Sequence, residues 1–251
     1  MLKRAFRAEG QKAKRRHDLL LCLLIPLIVF VWLGGLKPGS AEELANGYSA
    51  LFYSLPVLHS IIYPVMMAVL ASRLWDMEVK GSTTKLLYTL ESRQSLFAGK
   101  VSFGLLEVLL MTGLEMLFVR LLGRVQGYTE AFPAGQFGYL ALCTLVVNVM
   151  LFLSELLLML RFENPLPAIC IGIVGALVGL FSAFMPAIVS YFVPWGYYVP
   201  LSSYEVSVWE KETHTVLYGT RAQNWPLLGV AVLLAAVCFA AAWRIMKTKE
   251  V

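Results

Sequence analysis

The sequence predicts an all-α, polytopic membrane protein with about six transmembrane helices. Three observations predict it. Charged residues make up only 15% of the 251-residue chain and hydrophobic residues 59%, whereas a soluble domain carries about a quarter charged residues. Six apolar stretches approach the roughly 20 residues that a helix needs to cross a bilayer. The lysines and arginines fall mostly on one side of those stretches, as membrane topology sorts them.

The elements follow in chain order. Segment 1–17 is basic, with Leu2, Ala5 and Phe6 at helical spacing. It suits an interfacial helix on the inner leaflet, and a basic arm that only sets topology suits it equally. The first span is 19–36, and its length and basic flank are unlike a cleaved signal peptide. The second is 51–74, interrupted by Pro56 and Pro64. The third is 96–119, carrying Glu107 and Glu115, and the fourth is 136–160, carrying Glu155. The fifth, 166–185, contains Gly172, Gly175 and Gly179, which allow close helix approach. The sixth is 226–243. The whole chain, 1–251, reads as one transmembrane domain with no internal repeat or low-complexity segment.

An even number of spans puts both termini on one side. With the termini in the cytosol, Lys37, Arg120, Arg124, Lys211 and Arg221 are the outer cations. That is roughly 16 inner against 5 outer, a strong positive-inside bias. The cations are thus placed by topology, and the net charge of +5 does not point to nucleic acid. Cys22, Cys143, Cys170 and Cys238 lie within apolar runs, which argues for small buried hydrophobes rather than disulfides or zinc ligands.

Several chemistries are excluded. No G-x-x-x-x-G-K-[ST] phosphate loop, H-E-x-x-H helix or G-x-S-x-G elbow occurs. The histidines are His17, His59 and His214. His59 alone falls in a span, too few for an intramembrane metal site. Three acids remain inside the spans, where charge is costly and a functional role is the default. Glu107 and Glu115 lie about 80° apart on one broad helix face. Glu115 can pair with Arg120 or Arg124, and Glu155 with Arg161. Glu107, nearest mid-span, has the stronger claim to a transport path, with Glu155 as its companion.

Two polar segments complete the chain. The outer loop 186–225 starts with an aromatic stretch containing Phe192, Trp195, Tyr197 and Tyr198. It is too broken by proline to span and too apolar for water. A short re-entrant or interfacial hairpin fits if protein covers its backbone. The aromatics suit an interface belt, and alternatively an outer gate. The cytosolic loop 75–95 contains a short helix over 83–90, with Leu86, Leu87 and Leu90 as an apolar stripe. Gly81 permits the turn before it and Ser82 can cap it. Such a stripe can fill a groove on a cytosolic partner, or lie on the bilayer.

The pattern Glu78-x-x-Gly81-x-x-x-Lys85-Leu86-Leu87, then Ser92-Arg93, then Lys100 entering the third span, resembles that of ABC transporter type-2 permeases. The order of elements resembles theirs as well. The resemblance implies a coupling helix with Thr83, Thr84, Lys85, Leu86, Leu87 and Leu90 docking on a separate cytosolic ATPase, aided by Glu78, Gly81 and Arg93. A second contact is implied at the inner turn containing Arg161 and Glu163. It implies no cofactor in this chain, with ATP and Mg bound by the ATPase, and a second permease, identical or related. The run 85–90 and the short chain look most like the lantibiotic-immunity branch, which implies export of antimicrobial peptides from the membrane. One departure is Glu91, where such permeases often have proline. The residues alone also admit a proton-coupled secondary transporter using Glu107, though no internal repeat supports it, or a non-transporting membrane anchor.

Overall fold

The computed structural model describes residues 2–80, 92–162, 164–182, 184–210 and 215–248. The expected coupling residues Gly81, Thr83, Thr84, Lys85, Leu86, Leu87 and Leu90 lie outside that set, as does Glu163. Among the described residues the chain is predominantly helical. The helices are α1 (Leu2–Arg16), α2 (Asp18–Gly35), α3 (Ala41–Ala45), α4 (Gly47–Lys80), α5 (Arg93–Val125), α6 (Ala134–Phe162), α7 (Pro165–Ser182), α8 (Ala187–Ser190) and α9 (Trp225–Thr248).

Six of these helices stand at the six expected spans. Five of them (α2, α4, α6, α7 and α9) are long and apolar enough to cross a membrane. The sixth long helix, α5, is interrupted by Lys100, Glu107 and Glu115. Its buried face includes all three, while Leu109, Leu110, Leu117 and Leu121 stay exposed on the other side.

Local chemistry fixes the ends. The Ser92 hydroxyl accepts from the Ser95 N–H at 3.3 Å and starts α5. Gly127, at φ 72°, ends it, with the Tyr128 N–H returning to Gly123 O at 3.0 Å, the glycine-terminated arrangement. Helix α4 runs unbroken through Pro56 and Pro64. Within it the Ser60 hydroxyl donates to Pro56 O at 3.0 Å, a bond back to the carbonyl one turn earlier.

Segment 2–16 is a helix joined to α2 through His17, whose φ of 57° is left-handed. It packs against α5: Phe6 and Phe103 ring centroids are 5.6 Å apart, and a Cβ on Gly99 would stand 2.7 Å from Ala5 Cβ. Ala5, Glu9 and Ala13 are buried at helical spacing. The amphipathic stripe is therefore satisfied by the protein itself.

The outer segment contains an element the sequence reading lacked. After α8 and a 3-10 turn (Pro194–Gly196), strands β1 (Tyr204–Glu210) and β2 (Thr215–Thr220) form an antiparallel hairpin. A register irregularity falls between Val206 and Val208. The core has two parts. The larger gathers Trp75, Phe97, Met111, Met150 and Phe152 between α4, α5, α6 and α9. The smaller joins Phe52, Leu55, Val119 and Leu122 to Tyr204 of the hairpin. Cys22 and Cys143 are buried as expected, but Cys170 is exposed and Cys238 half-buried, all four as free thiols.

Close packing sets a testable contrast on α5. A Cβ at Gly104 would stand 2.7 Å from Leu74 Cδ1 and closer still to the Phe152 ring, while one at Gly113 meets nothing within 4 Å. Gly104→Ala should lower stability by about 1–3 kcal/mol through overpacking, and Gly113→Ala should be neutral or stabilising. Thermal unfolding of the purified protein in detergent distinguishes them.

Candidate intramembrane polar site

Two polar centres lie inside the helical bundle, and α5 contributes to both. The first lies where α1, α2, α4 and α5 meet. Asp18, buried at the start of α2, receives Arg16 Nε at 2.7 Å and Arg73 Nε of α4 at 2.7 Å. Each arginine also donates to the other's backbone carbonyl. Beside them Glu9 of α1 pairs with Lys12 at 2.7 Å and with Lys100 at 3.2 Å. Lys100 is fully buried, and its ammonium also donates to Leu74 O. Six charged side chains from α1, α2, α4 and α5 thus pair with one another where water is scarce. A buried charge tolerates such a site only when paired and hydrogen-bonded.

Glu107 joins this centre. Its carboxylate is buried and makes no hydrogen bond among the described residues. The charged groups around it are Asp18, Arg16, Glu9 and Arg73. Glu155 on α6 is likewise buried without a hydrogen bond. The pairing with Arg161 expected from sequence is absent: Arg161 is exposed at the end of α6, and Glu155 instead faces Trp195 and the backbone at Gly172. An α-helix explains the miss, since residues six apart lie about 120° apart around its axis.

The second centre surrounds Glu115, and here too the expected partner is corrected. Arg120 lies over the Phe132 ring, 5.0 Å from its centroid. Glu115 accepts from Tyr63 and contacts His59 Nε2 at 3.0 Å. Thr144 Oγ1 lies 3.5 Å from His59 Nδ1. Alongside, Asn148 donates to Thr112 Oγ1 at 3.0 Å and accepts from Tyr198 OH at 2.6 Å. The rings of Tyr63 and Tyr198 stack with centroids 6.0 Å apart, and His59 stands edge-on to Tyr198 at 5.6 Å. Helices α4, α5 and α6 therefore share one buried network that reaches the outer segment through Tyr198.

That outer segment is seated by glycines. A Cβ on Gly172 would stand 2.8 Å from Ala68 Cβ of α4. Gly175 lies against the Trp195 ring, and a Cβ on Gly179 would stand 2.8 Å from Gly196 N. Of the four aromatics considered for an outer gate, Tyr197 and Tyr198 are buried and Trp195 is half-buried. Phe192 is 81% exposed and points away from them. Arg93 begins α5, and Glu78 falls within the helical range of α4.

The sequence reading missed Glu9, Asp18, Tyr63, Asn148 and the role of His59. The signal was spacing: His59 and Tyr63, Thr144 and Asn148, and Thr112 and Glu115 each lie three or four residues apart, so each pair shares a helix face. Tyr198→Phe should cost about 1 kcal/mol by leaving the buried Asn148 carbonyl unsatisfied. Adding Asn148→Ala should cost less than the sum of the single changes. A double-mutant cycle in thermal unfolding reads that coupling.

No curated protein matches the chain. The family model described as ABC-2 family transporter protein matches residues 5–179, from α1 through most of α7 and across both polar centres. This chain therefore belongs to the ABC-2 family of transporter proteins.

Proposed function

We propose that this permease expels lantibiotics or other antimicrobial peptides from the membrane, powered by a separate cytosolic ATPase. The observation that carries the reading is the family match over residues 5–179. The run Lys85-Leu86-Leu87-Tyr88-Thr89-Leu90 and the short chain support the peptide-immunity branch. The bias of Lys and Arg supports a plasma-membrane protein with both termini in the cytosol.

In this mechanism the ATPase docks on 83–90 and on the inner turn 161–164. Its ATP-driven closure moves these contacts, and α4 and α5, which flank the docking loop, carry the movement. At that level Lys100 of α5 donates to Leu74 O of α4, and Arg73 of α4 donates to Asp18 of α2. Further out, the network on Glu115 links the same helices to Tyr198, so a shift of α4 against α5 reaches the outer aromatics. A second permease, identical or related, completes the path. Peptide enters from the bilayer and passes the polar wall that includes Glu107 and Glu155.

Three outcomes test this reading. Leu86→Asp with Leu87→Asp should abolish co-purification with the ATPase encoded beside this chain while the protein still inserts; retained association refutes the docking surface. In the intact complex, nisin should stimulate ATP hydrolysis. Glu107→Gln should leave the unfolding temperature within a few degrees of the parent and reduce peptide-stimulated transport at least tenfold; unchanged transport removes Glu107 from the path.

A further inference from the structure

A cavity of about 630 Å³ opens at the end of the first span, where α2, α3, the start of α4 and strand β2 converge. Its volume falls within the range of small-ligand sites. The floor is apolar, made by Leu33, Leu36, Leu51 and Leu217. The rim carries Lys37, Glu42 and Glu43.

The walls are held independently of any ligand. The Gln126 amide donates to both Leu33 O and Leu36 O at 3.1 Å. The Thr129 N–H donates to Leu44 O at 3.1 Å. The Tyr128 ring packs on Gly47, which leaves no room for a Cβ there. Tyr53 holds Tyr218 of β2 with ring centroids 5.4 Å apart. Ser40 Oγ accepts from Glu43 N at 3.2 Å and Glu43 Oε2 accepts from Gly39 N at 2.6 Å, which fixes α3. The cavity is thus a built shape and not a gap between loose loops.

Its polar groups are incompletely used. Asn46 is spent on Glu42 O at 3.1 Å and Ser54 on Ala50 O at 2.8 Å. The Lys37 ammonium and the Glu42 carboxylate form no ion pair among the described residues, and Glu43 uses one oxygen on Gly39. The charge of Glu43 reaches Tyr218, whose hydroxyl is raised above the usual range chiefly by burial and then by Tyr53 and Glu43. Both signs of charge therefore stand over an apolar floor, at the level where the first span leaves the hydrocarbon. Trp32 is exposed just below, in keeping with an interfacial position.

We infer that this cavity binds the zwitterionic head of a phospholipid that carries a primary ammonium, with Glu42 and Glu43 taking the ammonium, Lys37 the phosphate and Leu33 and Leu36 the start of the acyl chains. A purely anionic lipid meets two carboxylates, and a purely cationic amphiphile meets Lys37; the zwitterion satisfies all three. The primary ammonium supplies N–H donors that choline lacks. The inference is independent of the exported cargo.

The test is lipid titration of the purified full-length chain in detergent, read by native mass spectrometry. Phosphatidylethanolamine should bind about tenfold more tightly than phosphatidylglycerol, and more tightly than phosphatidylcholine. Glu42→Gln with Glu43→Gln, which retains an acceptor for Gly39, should remove the preference, and Lys37→Gln should weaken ethanolamine-lipid binding severalfold. Unchanged thermal unfolding shows that these surface variants keep the fold. Equal binding of the three lipids, or wild-type selectivity in the Glu42/Glu43 variant, overturns the proposal. So does nisin binding that competes with the lipid and strengthens on Lys37→Gln, since that outcome assigns the cavity to a cationic peptide.

Discussion

Helix α5 must keep Lys100, Glu107 and Glu115 away from lipid inside a bilayer-spanning bundle, and the rest of the structure follows from that constraint. An isolated charge at membrane depth costs several kcal/mol by insertion scales. The helix therefore cannot face lipid along this stripe, and α1 and α4 present polar groups to it. Helix α1 brings Glu9, α4 brings His59 and Tyr63, and the α4 backbone brings Leu74 O. The apolar helices α2, α7 and α9 form the outside, with exposed Leu27, Leu177 and Leu233. Polarity thus decides which helices are central, reversing the usual order for a soluble domain.

Small residues then decide how near the elements come. Gly99 admits α1, Gly104 admits the Phe152 ring, and Gly172, Gly175 and Gly179 admit α4, Trp195 and Gly196. In lipid there is little hydrophobic gain from helix association, so close van der Waals contact and internal hydrogen bonds provide the attraction. The two principles meet at Tyr198. The glycine stripe lets the outer segment descend far enough for its hydroxyl to reach Asn148. The function proposed for this permease requires such a link, because energy delivered at the cytosolic end has to be felt at the outer one.

Much of the fold was legible because span length and charge bias are strong signals. The positions of α2, α4, α5, α6, α7 and α9 follow the apolar runs to within a few residues. The N-terminal helix was half legible: its stripe was visible, but the surface that covers it, Gly99 and Phe103, lies some ninety residues away in the chain. Tyr204 to Val208 alternates with period two and was a signal that went unread, whereas β2 does not alternate, and Tyr204 and Tyr218 are held by Phe52 and Tyr53 from elsewhere. Site partners were the least legible. Nearness in sequence suggested Arg120 for Glu115 and Arg161 for Glu155, whereas a helix carries those residues to other faces and the true neighbours come from other spans.

The network around Glu115 also implies an order of assembly. His59 and Tyr63 enter the membrane with the second span, 56 and 52 residues ahead of Glu115. The acid thus meets its donors as it is inserted and never has to wait unpaired in lipid. Asn148 is different. It finds Thr112, already in place, but its carbonyl lacks the Tyr198 hydroxyl until 50 more residues are made. At roughly 5–20 residues per second, that delay is about 3–10 s. The segment that carries Tyr198 is thus the last part of this network to be made.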